Sequence, residues 1–218
     1  MRTKYFDHEK HFDSIELVSE ELDGGRYYTL PTGERYKSVT TILSALNKKS
    51  IMEWRKRVGA EQAQKITTQA STRGTKLHAI VEKYINNEED FHANYNPSTI
   101  DLFKSIQPII DERVEKVYGQ EFPLYSHLLK TAGRCDLFCR FDGLNTVVDF
   151  KSSSKLKRED WIENYFLQCT VYAVMIQELY NINVPRIAVV IGVENEQPQV
   201  FVKKTTRFYP RVKEVFCK

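Results

Sequence analysis

The sequence has 218 residues, 41% hydrophobic and 28% charged, which suits one folded core with a small appendage and excludes a low-complexity or disordered chain. Its 32 basic and 29 acidic residues leave a net charge of +3, too mild to demand a nucleic-acid partner and no obstacle to one. No apolar run approaches the length of a membrane span, and the start MRTKYFDHEKHFDSIE fits neither a secretory signal nor a mitochondrial presequence, so a cytoplasmic protein without a membrane partner is expected.

Residues 1–25 are polar and read as a loosely packed arm. Tyr27–Leu30 and Arg35–Val39 flank Pro31-Thr32-Gly33-Glu34 as a short hairpin, and Thr40 or Thr41 can cap a helix through Leu46. Ser50 precedes Ile51, Trp54, Val58 and Ala63, a helical spacing with basic residues on its exposed side. Ser71–Thr75 reads as a break before a new helix with the stripe Leu77, Ile80, Val81 and Tyr84. His78 and Glu82 share a face of that helix. A histidine beside an apolar stripe is more often structural, yet Arg73, Thr75 and His78 would then surround a helix N-terminus, which suits a phosphate.

Residues 86–99 read as a connection, followed by a helix capped by Ser98 and running from Thr99 to about Val117, with Pro108 kinking it or dividing it in two and Gly119 ending it. Glu121–Ser126 contains Pro123 and reads as an edge strand. A hairpin follows. Arg134–Arg140 alternates, with Cys135, Leu137 and Cys139 on one side and Arg134, Asp136 and Phe138 on the other. Asp142–Asn145 turns the chain into the apolar strand Thr146–Lys151. A polar loop from Ser152 to Glu159 leads to a helix from Asp160 to Tyr180. That helix has one apolar stripe (Ile162, Phe166, Cys169, Ala173, Ile176) and one aromatic-polar stripe (Trp161, Tyr165, Gln168, Tyr172). Ile187–Val193 is β-branched and reads as a central strand beside Gln199–Val202, ahead of a basic tail with Phe208, Tyr209, Val212 and Phe216 free to pack. This order predicts a three-layer α/β or α+β domain with a mixed sheet.

Asp149 interrupts an apolar strand, with Lys151 two residues later on the same face. A carboxylate there needs a counter-charge or a metal. Asp136, Asp149 and the backbone carbonyl of Phe150 offer the hard oxygens that Mg²⁺ takes. Lys151 can orient or deprotonate a water or neutralise a phosphorane-like oxygen, and the hydroxyls of Ser152 and Ser153 can hold a phosphate. The competing reading of the same residues is a buried Asp149–Lys151 ion pair with Asp136 unrelated to it. The cysteines, Cys135, Cys139, Cys169 and Cys217, lack a CxxC spacing and read as reduced thiols, with Cys135 and Cys139 packing on one strand face.

GRCDLF (133–138) followed by VVDFKSS (147–153) resembles the core of the PD-(D/E)XK nuclease superfamily, and more closely its RecB-like exonuclease branch, which includes phage enzymes and the mitochondrial genome maintenance exonuclease group. The resemblance spans roughly residues 36–194, with SVTTIL and Trp54 at its start, and departs from the family in having Asp rather than Glu at the second acid. It implies a restriction-endonuclease-like core, a central mixed β-sheet flanked by helices. Residues 1–118 would be an arm, hairpin and helices roofing the site, and 119–218 the nuclease core, in one compact structural domain. It implies catalytic roles for Asp136, Asp149, Lys151, Gln168 and Tyr172. Metal ligation would come from His78 of RGTKLH with Asp136, Asp149 and Phe150, and Glu121 and Glu82 are further candidates. Arg73, Lys76, Arg134, Ser152, Ser153 and Tyr165 would meet the substrate. Mg²⁺ is the expected ion and Mn²⁺ a substitute that an imidazole makes more acceptable. No cysteine precedes Cys135, so no iron–sulfur cluster is expected.

The expected function is a metal-dependent deoxyribonuclease, an exonuclease acting on single-stranded DNA or on ends, in phage or bacterial recombination, repair or replication (in the host cytoplasm if phage-encoded). A structure-dependent or nicking endonuclease, and a non-catalytic nucleic-acid-binding module with a nuclease fold, are the alternatives. The sequence leaves a protein partner open.

Overall fold

A computed structural model describes residues 2–9, 12 and 15–217; residues 1, 10, 11, 13 and 14 of the expected arm, and the basic residue 218, lie outside the described residues. In chain order the strands are β1 (Asp7–His8), β2 (Val18–Leu22), β3 (Gly25–Thr29), β4 (Arg35–Ser38), β5 (Val114–Ser126), β6 (Thr131–Phe141), β7 (Leu144–Ser153), β8 (Arg186–Val193) and β9 (Gln199–Lys204). The helices are α1 (Val39–Leu46), α2 (Lys48–Val58), α3 (Ala60–Ile85), α4 (Pro97–Arg113), α5 (Glu163–Tyr180) and α6 (Tyr209–Phe216). They form an open mixed sheet between two helical layers, a restriction-endonuclease-like three-layer α/β architecture. One core joins α1, α5 and α6 to the sheet through residues such as Val39, Leu167, Val189 and Phe216. The other joins α3 and α4 through Leu77, Ile106, Val148 and Val190. Among the described residues, no helix is long and apolar enough to cross a membrane.

The sheet forks, and the fork places the site. β5 runs antiparallel along one edge of β6 from Val114↔Phe141 to Ser126↔Thr131. The other edge of β6 is shared. β4 pairs with it at Thr131 and Ala132, and β7 pairs with it only from Leu137 to Phe141. From Asp149 to Ser153, β7 pairs with β8 alone. Between the two pairings the edge of β6 at 133–136 is left open, opposite the freed side of β7. The hairpin joining β6 to β7 closes through Asp142 and Gly143, both at positive φ (47° and 77°), the backbone that a two-residue turn of the I′ type requires. Arg113 grips the Asp142 carboxylate through Nε at 3.0 Å and holds its pKa below the usual range.

Several local expectations give way to tertiary packing. α2 is followed after Gly59 by α3, which runs unbroken for 26 residues through Ser71–Thr75. The helical penalty of Gly74, about 1 kcal/mol, is small beside the burial of Leu77, Ile80, Val81, Tyr84 and Ile85 on the same rod. Arg73, Thr75 and His78 therefore lie mid-helix, and the expected helix-terminus phosphate site around them does not exist. α1 is capped by Ser38, whose Oγ accepts from Thr41 N at 3.0 Å, and α4 by Asn96, not Ser98. α4 carries Pro108 inside it and stops at Arg113. Val114 and Val117 continue its spacing by accident and belong to β5. Gly119 is thus a strand residue at a register shift, where a Cβ would meet the Phe122 ring at 2.9 Å.

β5 has β1 beside it only at Lys116 and Val117, which leaves Pro123 on an open edge as its ring demands. The arm is better packed than its polarity suggests. Phe6 is buried, Arg2 donates to Tyr84 O at 2.8 Å, and Lys4 Nζ donates to Asp111 O at 2.7 Å. Phe91, in the connection, is buried as well. α5 starts at Glu163 after a 3₁₀ turn at Glu159–Trp161, so Trp161 leaves its stripe and stands 63% exposed.

Candidate metal centre

β7 brings Asp149 and Lys151 to the fork on its α5-facing side. Asp149 is 1% exposed. Its Oδ1 accepts from Lys151 Nζ at 2.6 Å and from Gln168 Nε2, on α5, at 2.9 Å. Its Oδ2 lies 2.6 Å from the same ammonium but out of line for a hydrogen bond, and is buried without one. Burial pushes the Asp149 carboxyl up to about 6, against the lowering charge of Lys151. For Lys151, burial works against the charge, but Asp149 and Asp136 overcome it and raise the pKa, so the side chain is an ammonium. The Tyr165 ring lies beneath it, with Nζ 5.2 Å from the centroid.

On the other side of the fork, His78 from α3, Glu121 from β5 and Asp136 from β6 converge, with one ligand atom from each within 4.8 Å of the others. His78 Nδ1 is 3.4 Å from Asp136 Oδ2 and 3.9 Å from Glu121 Oε1. Asp136 Oδ2 also accepts the Phe150 N–H at 2.9 Å, so a carboxylate replaces the ladder bond that the diverging strands no longer make. In an extended strand the N–H and C=O of one residue point to the same edge, so the Phe150 carbonyl faces the fork too. Glu121 reaches in from a left-handed backbone, φ 45°. Opposite it the pleat of β6 slips. Cys135 and Phe138 pack with α5, while Leu137 and Cys139 pack against α3 and α4, so the strict alternation expected for this strand fails at Asp136.

His78, Glu121 and Asp136 are a nitrogen and two carboxylates of the kind that hold a divalent cation. The Oδ2 of Asp149, ion-paired with Lys151, is a further buried acceptor without a hydrogen bond. Burial disfavours a charged His78, but Asp136 and the neighbouring Glu121 outweigh it and raise the ring to about 9. At about pH 7.5 the metal-free ring is therefore protonated and must lose a proton before Nδ1 can ligate. Titration with Mn²⁺ is expected to release about one proton per ion, and affinity to climb about tenfold per pH unit up to about pH 9. Calorimetry in buffers of different ionisation enthalpy checks both.

The remaining predicted residues divide. Glu82, one turn beyond His78, stands beside the cluster and not in it; burial and the charge of Glu121 raise its pKa, and Arg134 lowers it. Arg134 is exposed. Tyr172 is buried against the backbone of β6, where a Cβ on Gly133 would lie 2.8 Å from its hydroxyl. Gly133→Ala is expected to cost about 1–3 kcal/mol in urea unfolding, because Tyr172 must give way in a filled core. Arg73 donates to Ser152 Oγ at 3.4 Å and pairs with Glu194 at 3.0 Å. A groove of about 930 Å³ adjoins them, walled also by Lys76, Ser153 and Tyr165. Glu194 was not anticipated. Its signal lay in the parallel register Ser153↔Val193, which ends β7 and β8 together and sets Glu194 beside the serines.

No family model matches the chain, and neither does any curated protein. Among solved structures, a "Putative exonuclease" from Eubacterium rectale aligns at 12% identity over 66% of this chain and 68% of its own, with a TM-score of 0.41. A second, named SSO0001, aligns at 14% identity over 64% and 71%, with a TM-score of 0.30. Both likenesses are distant. The fold and the site together define a restriction-endonuclease-like α/β chain with a candidate divalent-metal centre at its sheet fork.

Proposed function

We propose that the chain is a metal-dependent deoxyribonuclease, an exonuclease of the RecB-like kind acting on single-stranded DNA or free ends, in the cytoplasm and in the service of recombination, repair or replication. The observation that carries this reading is the fork itself. It gathers the carboxylates Asp136, Asp149 and Glu121, the imidazole of His78 and the ammonium of Lys151 beside a groove with cationic walls. A structural ion pair would account for Asp149 and Lys151 alone, but not for the Asp136 side chain reaching from β6 to accept Phe150 N–H beside His78.

His78, Asp136 and Asp149 would hold Mg²⁺ or Mn²⁺, with Glu121 and the Phe150 carbonyl beside them. Such an ion, when bound, lowers the pKa of a held water and screens phosphate charge. The protein's own groups do the rest. Lys151, an ammonium, orients the water and neutralises an oxygen of the pentacoordinate phosphorus. Gln168 fixes Asp149 from α5, and Tyr172 backs the strand behind it. Arg73, Lys76, Arg134, Ser152 and Ser153 are placed to meet phosphates, with Tyr165 as a wall.

End-labelled linear and sealed circular DNA, single- and double-stranded, with and without Mg²⁺, test the reading. Metal-dependent shortening of linear single strands with circles intact is expected. Cut circles would make the enzyme an endonuclease. Intact DNA throughout, with no ion bound in calorimetry, would leave a binding module.

A further inference from the structure

We propose that the groove beside the fork is a binding track for an unpaired DNA strand, in which Trp54 stacks on a base and so selects single-stranded over duplex DNA. The proposal deepens the nuclease reading and rests on it for the strand's role as substrate. The walls of the groove include Trp54 of α2, Arg73 and Lys76 of α3, Lys155 and Lys157 after β7, and Tyr165 of α5. Its four cations face one acid, Glu194, which is already paired with Arg73. The N-terminus of α4 opens on the same space through Ser98 and Thr99 and adds positive potential. That charge balance fits a polyanion.

Trp54 adds what charge does not. α2 buries none of its residues, and Trp54 packs in none of the three hydrophobic cores among the described residues. The indole therefore lies outside the folded cores. A half-buried indole in a cationic groove offers a flat face to an aromatic ligand. Every nucleobase has such a face, but in a duplex its neighbours cover it, so only an unpaired base can accept the stack. Tyr165, whose ring lies under Lys151, marks the end of the groove where the strand would meet the fork.

The test is run without metal, so that binding is read apart from cleavage. In a Trp161→Phe background, which removes the exposed second tryptophan, Trp54 fluorescence is titrated with a short oligothymidylate and with a duplex of equal length. Saturable quenching by the single strand is expected, with log K falling against log salt at a slope of about −2 to −3, for three or four phosphate contacts. Trp54→Ala should weaken the single strand by about tenfold or more and the duplex by less than about twofold, and Trp54→Phe should restore most of the loss. Circular dichroism establishes that the variants fold. Unquenched fluorescence, or equal losses for strand and duplex, would overturn the proposal. A chain that cleaves DNA with Trp54 unquenched loses the track and keeps the nuclease reading; one that quenches but never cleaves keeps the track and loses the nuclease.

Discussion

Lys151→Met should reduce DNA hydrolysis by at least about 10²–10³-fold while single-strand binding falls far less, because an ammonium aimed at developing charge is worth more in the transition state than in the ground state. Single-turnover rates at saturating enzyme separate the two. The same change strands Asp149. With its counter-charge gone, a carboxyl already pushed up to about 6 by burial rises further and takes a proton near neutral pH. Protonation softens the loss of stability, which otherwise reaches about 3–5 kcal/mol for a broken buried pair. The sign can be worked out. A carboxyl whose folded pKa lies above its unfolded one favours the fold below the unfolded value and loses that contribution as pH rises through the folded one. Lys151→Met should therefore unfold more easily at about pH 8 than at about pH 5 relative to the parent, and urea titrations at both pH values check it.

Asp136→Asn should be as damaging by another route. It takes a carboxylate from the candidate ligand set and removes the charge that holds His78 protonated. Mn²⁺ affinity should fall by about 10–100-fold or more, and hydrolysis with it. A second readout stands free of activity. In the metal-free variant the His78 ring should titrate well below about 9, back toward its ordinary 6.5, because Asp136 is the largest influence raising it. Proton chemical shifts across pH follow this directly. An imidazole that stays near 9 would mean that Glu121 alone sustains it, and that Asp136 is not the centre of the cluster.

Much of this site was legible because it is local. Asp149 and Lys151 lie two residues apart on a strand, Asp142-Gly143 announces its turn, and the apolar run of β8 marks a central strand. Gln168 and Tyr172, one helical turn apart on α5, share the face turned to the sheet. What escaped was set by partners distant in sequence. Nothing local shows that β5 begins at Val114, since Ile106, Ile110, Val114 and Val117 keep helical spacing across the boundary. The slip in the pleat at Asp136 lies between the pairs Gln120↔Leu137 and Phe122↔Cys135, away from both register shifts of β5 on β6, and it puts Cys135 on the face of Phe138 instead of that of Leu137. The break read into Ser71–Thr75 followed the propensities of serine, threonine and glycine, and packing on β7 overrode them. Ligation by His78 was expected from a resemblance. Its convergence with Glu121 and Asp136 is geometric, and the pairing of Glu194 with Arg73 depends on where two parallel strands stop.

The unbroken α3 has a mechanical meaning as well. Arg73, Lys76 and His78 ride one rigid rod, so the proposed phosphate contact and the candidate metal ligand are separated by helical rise alone, roughly 7.5 Å along the axis from Arg73 to His78. Had the chain broken at Gly74, that spacing would drift with every loop fluctuation. On the proposed reading, the helix would be a ruler between the strand that is held and the bond that is cut. A single residue inserted between Arg73 and His78 would turn one group about 100° away from the other, disconnecting grip from chemistry while leaving each intact.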